Sequence, residues 1–147
     1  MRTVLTLAVL LLPGAAVAGQ GREVIHTPHE LQGLPFSSAV RVGNLLFLSG
    51  QIGNVPGTRQ LADTGITGQT RATLANIKAV LEHAGSSLER VVKCTVFLTT
   101  MADYQLMNAV YTTVFPKDPP ARSTVAGSGL ALGARVEIEC IATVGAE

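Results

Sequence analysis

Two charged side chains lie in short apolar stretches near the C-terminal end of the sequence, and they are the first candidates for chemistry. Arg122 directly follows a Pro-Pro-Ala sequence and opens a short β-branched segment, and Glu137 lies inside an alternating apolar segment. A carboxylate in such a segment needs a compensating charge or a functional role, because burial of an unpaired charge is costly. Spacing alone favours a structural ion pair, for example of Arg122 or Arg135 with Glu137 or Glu139, over a reactive site.

The motifs of common nucleophilic and nucleotide-binding enzymes are absent. The sequence has no G-x-S-x-G, no H-E-x-x-H and no lysine after a glycine-rich turn, and Gly127, Gly129 and Gly133 do not have the dinucleotide-binding spacing. Ser49 and Ser123 have no base that is evident in the sequence, so we expect no nucleophilic role for them. These motifs alone predict no more than an α/β domain.

Cys94 and Cys140 are the only cysteines, and both lie in predicted strands with apolar neighbours. An oxidising compartment would permit a disulfide between them. The apolar neighbours favour two buried thiols that pack as small hydrophobic groups, and this is what we expect. Two cysteines alone cannot form a structural zinc site, and His26, His29 and His83 are predicted to be surface residues rather than ligands.

The first eighteen residues have the pattern of a secretory signal peptide. Arg2 precedes an apolar run that is too short to cross a bilayer, and Ala16-Val17-Ala18 matches an A-x-A cleavage site. We therefore expect cleavage before Gly19 and an exported protein that does not contact the membrane afterwards, with residues 19–147 as one domain. The alternative is an uncleaved membrane anchor.

The charge balance argues against nucleic acid as a partner. The loss of Arg2 reduces the 11 basic residues to 10, against 10 acidic residues, so the mature net charge is about zero. The sequence has no basic run and no tryptophan, and only 4% of its residues are aromatic. Both the electrostatic and the stacking signals of nucleic-acid binding are therefore missing.

Hydrophobic periodicity predicts the order β-β-β-α-β-α-β-β. The predicted strands cover residues 24–26, 38–42, 45–49, 91–98, 122–126 and 135–144, and the predicted helices cover 64–84 and 104–114. This order indicates an α+β fold, a mixed β-sheet with two helices on one face.

The last strand indicates what covers the other face of the sheet. One side of this strand is apolar and should meet the helices; it comprises Val136, Ile138, Cys140, Ala142 and Val144. The opposite side mixes charge with apolar groups; it comprises Arg135, Glu137, Glu139, Ile141 and Thr143. A sheet face of this kind is often buried by a partner subunit, so we expect an oligomer.

Several segments match one family pattern in order. Residues 43–52 end in Ser-Gly-Gln-Ile, residues 76–81 and 92–97 fit the middle of the pattern, residues 120–125 read Pro-Ala-Arg-Ser-Thr-Val, and residues 135–142 read Arg-Val-Glu-Ile-Glu-Cys-Ile-Ala. Together they resemble the S-G-Q, P-A-R-S-x-V and V-x-I-E-I-E-x-I-A motifs of the reactive intermediate deaminase (RidA/YjgF) family. The likeness runs from about residue 24 to 144, and the joint order of the motifs is highly specific.

The resemblance implies a fold, an assembly and an activity. The fold would be chorismate-mutase-like, and the assembly would be a compact homotrimer with three equivalent clefts between subunits. The activity would be hydrolysis of short enamines and imines to 2-keto acids and ammonia, with 2-aminoacrylate, 2-iminopropanoate and 2-iminobutanoate as substrates. No metal and no organic cofactor would take part.

The resemblance also assigns roles to individual residues. Arg122 corresponds to the arginine of P-A-R and would bind the substrate carboxylate through two parallel hydrogen bonds. Glu137 corresponds to the first glutamate of I-E-I-E and would orient, and partly deprotonate, the attacking water. Asn108 corresponds to a helix asparagine near the cleft. Gly50 lies in the S-G-Q strand end, where backbone groups approach the ligand.

Two candidate substrate-binding positions depart from the family pattern. The G-P-Y segment appears as Leu34-Pro35-Phe36, so Phe36 keeps the ring but lacks the hydroxyl. The cysteine often found two residues after the family arginine is replaced by Thr124, which retains a hydroxyl but has no thiol chemistry.

Two other classes of function are open at this point. Export favours a protein that binds a stable small carboxylate without turning it over. Ribonuclease or chaperone activity has been attached to some relatives of the family. The sequence offers no basic groove and no pair of histidines for general acid/base cleavage of RNA.

Overall fold

The computed structural model describes residues 21–145 of the chain. The expected signal peptide lies outside these residues, so its cleavage stays a prediction. Within the described range, the two helices lack the combination of length and hydropathy that a membrane span requires.

The elements follow the predicted order, with one addition. The strands are β1 (Arg22–Ile25), β2 (Ala39–Val42), β3 (Leu45–Leu48), β4 (Gln51–Ile52), β5 (Val91–Leu98), β6 (Ala121–Ala126) and β7 (Val136–Thr143), and the helices are α1 (Ile66–His83) and α2 (Tyr104–Val114). The two-residue strand β4 was not predicted, because it is too short to show a period of two. Gly85 follows α1 with a φ of 74°, a left-handed conformation that suits glycine, so the predicted helix end is confirmed.

One mixed sheet contains all the strands of residues 21–145. Its order is β1-β2-β3-β7-β5-β6, and β4 also pairs with β7. All pairs are antiparallel except β5 with β6, which α2 connects as a crossover. This sheet with its two helices confirms the predicted α+β fold.

The core lies between the sheet and the helices. Helix α1 packs against both α2 and β7. On β7 the alternate residues Val136, Ile138, Cys140 and Ala142 are buried, as the alternation predicted. On α1 the buried side chains recur at helical spacing and include Leu74, Ile77 and Leu81.

The opposite face of the sheet is partly open to solvent in the single chain. Phe47 and Val125, which lie on this face, are 41% and 48% exposed. Glu139 is also exposed there, and Glu137 is partly buried. Monomeric proteins seldom leave large apolar groups exposed together, so this face retains the composition that the sequence predicts for a subunit interface.

The two cysteines form a disulfide, so the expectation of two buried thiols is wrong. Cys94 on β5 and Cys140 on β7 are bonded, and residues 21–145 contain no free cysteine. The antiparallel register of β5 and β7 places the two residues directly opposite each other, and both point toward the helices. The apolar surroundings were predicted correctly, but the register that brings the two sulfurs together could not be inferred from them.

Candidate active site

The Glu137 side chain lines a cavity of about 320 Å³, which we call the Glu137 pocket. Its wall consists of the loop before β2, the junction between β3 and β4, the loop after β4 that carries Arg59, one side chain of α1, and the loop between β6 and β7. Phe36, Gly50, Leu132 and Glu137 are among its lining residues. The pocket therefore brings together three of the sequence-predicted site residues, Phe36, Gly50 and Glu137.

Gly50 lets the backbone pass directly beside the Glu137 carboxylate. A Cβ atom added to Gly50 would overlap Oε1 of Glu137. Glycine is thus required here for close approach rather than for an unusual φ. The backbone at this strand junction therefore lies directly against the carboxylate in the wall of the pocket.

Glu137 makes no ion pair and no side-chain hydrogen bond with the other described residues. Burial, and then the nearby charge of Glu139, raises the pKa of Glu137 above its ordinary value. Arg135 pairs instead with the buried Asp103, through hydrogen bonds of 2.8 to 3.0 Å. The ion pair that spacing alone favoured for Glu137 is therefore not present.

A second group, which we call the Arg122 cluster, consists of Arg122, Thr124, Tyr104, Asn108 and Tyr111. The guanidinium carbon of Arg122 lies 4.6 Å from the ring centre of Tyr111 and 5.7 Å from that of Tyr104, within the range of cation–π contacts. Nη2 of Arg122 also donates a hydrogen bond to the Tyr104 hydroxyl, at 3.2 Å. The two rings and this hydrogen bond hold the guanidinium against α2.

The polar atoms around Arg122 are incompletely satisfied. Oδ1 of Asn108, Oγ1 of Thr124 and the Tyr111 hydroxyl are buried without a hydrogen-bond partner among the described residues. Buried polar groups are usually paired, so these atoms indicate a place where polar groups from outside the chain can bind. Desolvation raises the pKa of Tyr111, although the charge of Arg122 opposes this effect.

Sequence reasoning missed the two tyrosines. Tyr104, Asn108 and Tyr111 are spaced i, i+4 and i+7, which places them on one face of α2. Only the family resemblance points to Asn108, and the two tyrosines fit an ordinary apolar helix stripe. The sequence did contain a signal for this cluster. Two tyrosines flank an asparagine on one helix face, and an arginine lies on the next strand.

The two groups lie on opposite faces of the sheet. Arg122 is level with Cys94 in the parallel pair β5–β6, and Cys94 points toward the helices. Glu137 is opposite Phe97 in the pair β5–β7 and alternates with the buried Ile138, so it points away from the helices. Because β5 separates β6 from β7, the chain does not bring Arg122 and Glu137 together in one cleft.

The histidines are exposed, as predicted. His26, His29 and His83 are all on the surface, and Nδ1 of His26 lies 2.9 Å from the Glu30 carboxylate. In the part of the chain that the structure describes, no three His, Cys, Asp or Glu side chains gather in a group that could hold a metal ion.

Comparison with known sequences gives the class of protein. The family model described as Endoribonuclease L-PSP matches residues 28–144. A RutC family protein of Pyrococcus horikoshii is 44% identical over 122 residues, covering 82% of this chain and 97% of that protein. The 2-iminobutanoate/2-iminopropanoate deaminase of Mus musculus is 39% identical over 111 residues, covering 76% of this chain and 82% of that protein.

Solved structures agree with this class. The E. coli TdcF structure with bound serine matches with a TM-score of 0.77 and 32% identity, covering 84% of this chain and 99% of that chain. The YjgF gene product of E. coli matches with a TM-score of 0.75 and 34% identity, covering 82% of this chain and 98% of that chain. The fold is therefore that of the YjgF-like proteins. The chain belongs to the Endoribonuclease L-PSP family, which includes proteins named as reactive intermediate deaminases.

Proposed function

We propose that the protein is a hydrolytic deaminase that converts short 2-imino acids and their enamine tautomers to 2-keto acids and ammonia. The observation that carries this proposal is the partly buried Glu137 carboxylate, which lines a pocket, makes no ion pair with the other described residues and has a raised pKa. A base with a pKa closer to neutrality is better matched to proton transfer. The relative from Mus musculus bears the name of this activity.

The site is proposed to form between two copies of the chain, in a homotrimer. Arg122 and Glu137 lie on opposite faces of one sheet, so a ligand in the Glu137 pocket can meet Arg122 only from a neighbouring subunit. The partly exposed apolar side chains on the Glu137 face, such as Phe47 and Val125, supply a surface for that neighbour. A closed trimer would use this contact three times and form three equivalent clefts.

Arg122 would bind the substrate carboxylate. A guanidinium offers a planar fork that can make two parallel hydrogen bonds to a carboxylate. The ring of Tyr111 and the hydroxyl of Tyr104 already hold the guanidinium, so little side-chain freedom is lost when the ligand binds. The unpaired oxygens of Asn108 and Thr124 are the nearby groups that could accept hydrogen bonds from an imine or ammonium nitrogen.

Glu137 would direct the chemical step. The oxygen of a water molecule attacks the imine carbon, Glu137 takes one proton from this water, and the C=N electron pair moves to nitrogen, which gains a proton from solvent. Glu137 then returns its proton to the nitrogen of the carbinolamine. Ammonia leaves, the hydroxyl proton is released, and the carbonyl of the keto acid forms. Alignment of the water with an already electrophilic carbon supplies much of the rate.

The mature protein should be a trimer in solution. Light scattering at micromolar concentration should therefore give about three times the mass of a single chain. A stable monomer would leave each Glu137 pocket without Arg122 and would contradict the two-chain site.

The activity is tested by ammonia release from freshly generated 2-iminopropanoate. The unaltered protein should release ammonia well above the uncatalysed rate. Arg122→Ala should weaken binding of 2-ketobutanoate by about ten- to hundredfold, because the ligand carboxylate loses its charged hydrogen bonds. Arg122→Lys should show a smaller loss, since it keeps the charge but not the planar fork.

A carboxylate-binding protein without catalytic activity would give a different result. The unaltered trimer would bind 2-ketobutanoate through Arg122, yet it would release no ammonia above background. That outcome would replace the hydrolase proposal with a binding function.

We also propose that the protein is exported. The sequence at residues 1–18 has the pattern of a cleavable signal peptide. The bond between Cys94 and Cys140 supports this proposal, because disulfides persist in oxidising compartments and are rare in the cytosol.

A further inference from the structure

The tyrosine hydroxyls of this chain are confined to the Arg122 cluster. The sequence has only two tyrosines, Tyr104 and Tyr111, and the Glu137 pocket has Phe36 where the resembling family has a tyrosine. Tyr111 is 3% exposed, whereas Tyr104 is only partly buried. Of the two phenol hydroxyls, that of Tyr104 is therefore the more accessible to a ligand in the assembled cleft.

The Tyr104 hydroxyl is positioned to act together with Arg122. It accepts a hydrogen bond from Nη2 of Arg122, so its own proton is available to another acceptor. An acceptor that binds the guanidinium also lies beside this hydroxyl. The guanidinium carbon also lies 4.6 Å from the ring centre of Tyr111, so both tyrosines of α2 contact the arginine.

We propose, on the basis of the proposed function, that Tyr104 is a substrate-binding residue whose hydroxyl donates a hydrogen bond to the carboxylate held by Arg122. The carboxylate then receives donors from both the guanidinium and the phenol. Tyr104 thereby confers specificity for an anionic ligand and takes no part in proton transfer to the imine.

The local electrostatics support this role. The adjacent Asn108 amide, and then the Arg122 charge and hydrogen bond, lower the pKa of Tyr104 below its ordinary value. A more acidic hydroxyl is a stronger donor to an anion.

Tyr104→Phe tests the proposal because it removes only the hydroxyl. The affinity of the trimer for 2-ketobutanoate should fall about ten- to hundredfold, which is the effect expected for a hydrogen bond to a charged group. For the imino acid, KM should rise by a similar factor while kcat stays nearly unchanged, because the hydroxyl binds substrate and transition state alike. Thr113→Val removes a hydroxyl from the opposite, exposed side of the same helix and should change neither quantity.

A measurement on the unaltered protein covers the case in which Tyr104→Phe fails to fold or assemble. With ring-labelled tyrosine, the NMR spectrum should contain two tyrosine signals, and the Tyr104 signal should move as 2-ketobutanoate saturates the protein. Either of two results would overturn the proposal: a Tyr104 signal that does not respond at saturation, or a folded Tyr104→Phe trimer with unchanged affinity.

The outcomes also separate this proposal from the hydrolase proposal. If the protein binds 2-ketobutanoate through Tyr104 but releases no ammonia from the imine, the hydrolase proposal fails and the role of Tyr104 stands. If the protein hydrolyses the imine and Tyr104→Phe leaves KM unchanged, only the role of Tyr104 fails. If 2-ketobutanoate does not bind at all, the carboxylate-binding role of Tyr104 is overturned.

Discussion

Glu137→Gln should lower the kcat for 2-iminopropanoate by about a hundredfold or more, because loss of a general base typically has an effect of this size. The amide nearly preserves the shape of the carboxylate, so the affinity for 2-ketobutanoate should survive. Steady-state ammonia release gives the first quantity, and calorimetric titration of the folded trimer gives the second. Equal losses in binding and in kcat would indicate a distorted pocket instead of a missing base.

The pH profile gives a second signature of the same residue. Burial and then Glu139 raise the pKa of Glu137, and the deprotonated form is the active base. The rate should therefore rise with pH through a pKa above the ordinary value of 4.5 for glutamate. Glu137→Gln should remove this rise. Glu139→Gln, the matched control, should keep most of kcat and move the rise to lower pH, because it removes the neighbouring negative charge.

Stability measurements distinguish a catalytic Glu137 from a structural one. A raised folded-state pKa means that the folded protein favours the protonated carboxyl. Any stabilisation from this group is therefore present below its unfolded-state pKa and is lost as the pH rises through the folded-state pKa. At neutral pH, Glu137→Gln should leave Tm unchanged or raise it. A lower Tm with an unchanged rate would make Glu137 a structural residue.

Reduction of the Cys94–Cys140 disulfide should lower the free energy of unfolding by about 4 kcal/mol. The two cysteines are 46 residues apart, and the loss of loop entropy in the unfolded chain is of this order for a loop of that length. Chemical denaturation of the oxidised and of the fully reduced, refolded protein should show the difference. Equal unfolding midpoints would contradict a stabilising crosslink.

A double variant is the control for this result. The reduced protein keeps both buried sulfurs, so its comparison with Cys94→Ala/Cys140→Ala separates the crosslink from the packing of the side chains.

The proposed export has its own test. Protein recovered from its native host should begin at Gly19 and show no alkylatable thiol. A retained Met1, or two reactive thiols, would contradict export to an oxidising compartment.

Much of the fold follows from local sequence patterns. The alternation of β7 correctly predicted that Val136 and Ile138 face the helices and that Glu137 does not. Gly43-Asn44 between two apolar runs is a hairpin signal, and the β2–β3 hairpin turns there; Gly85 is a helix-stop signal, and α1 ends just before it. These signals could be recognised because turns, helix ends and alternation depend on residues that are close together in the chain.

The candidate site was only partly accessible from the sequence. The motifs singled out Arg122, Glu137, Gly50, Asn108, Phe36 and Thr124, and the family that these motifs resemble is confirmed. The roles of these residues stay predictions until the variants are measured. The motifs did not indicate Tyr104, because a tyrosine on an apolar helix stripe is usually an ordinary core residue.

The sequence by itself determined which elements form and which side of each strand is apolar. Only the tertiary structure decided that Cys94 lies opposite Cys140, that Arg122 and Glu137 occupy opposite faces of the sheet, and that Tyr104 contacts Arg122. The reason is that alternation orients a side chain relative to its own strand, but it does not choose the neighbouring strand or the register. Strand β7, the last in the chain, inserts between β3 and β5, and such pairings between distant segments are selected by the packing of the whole core.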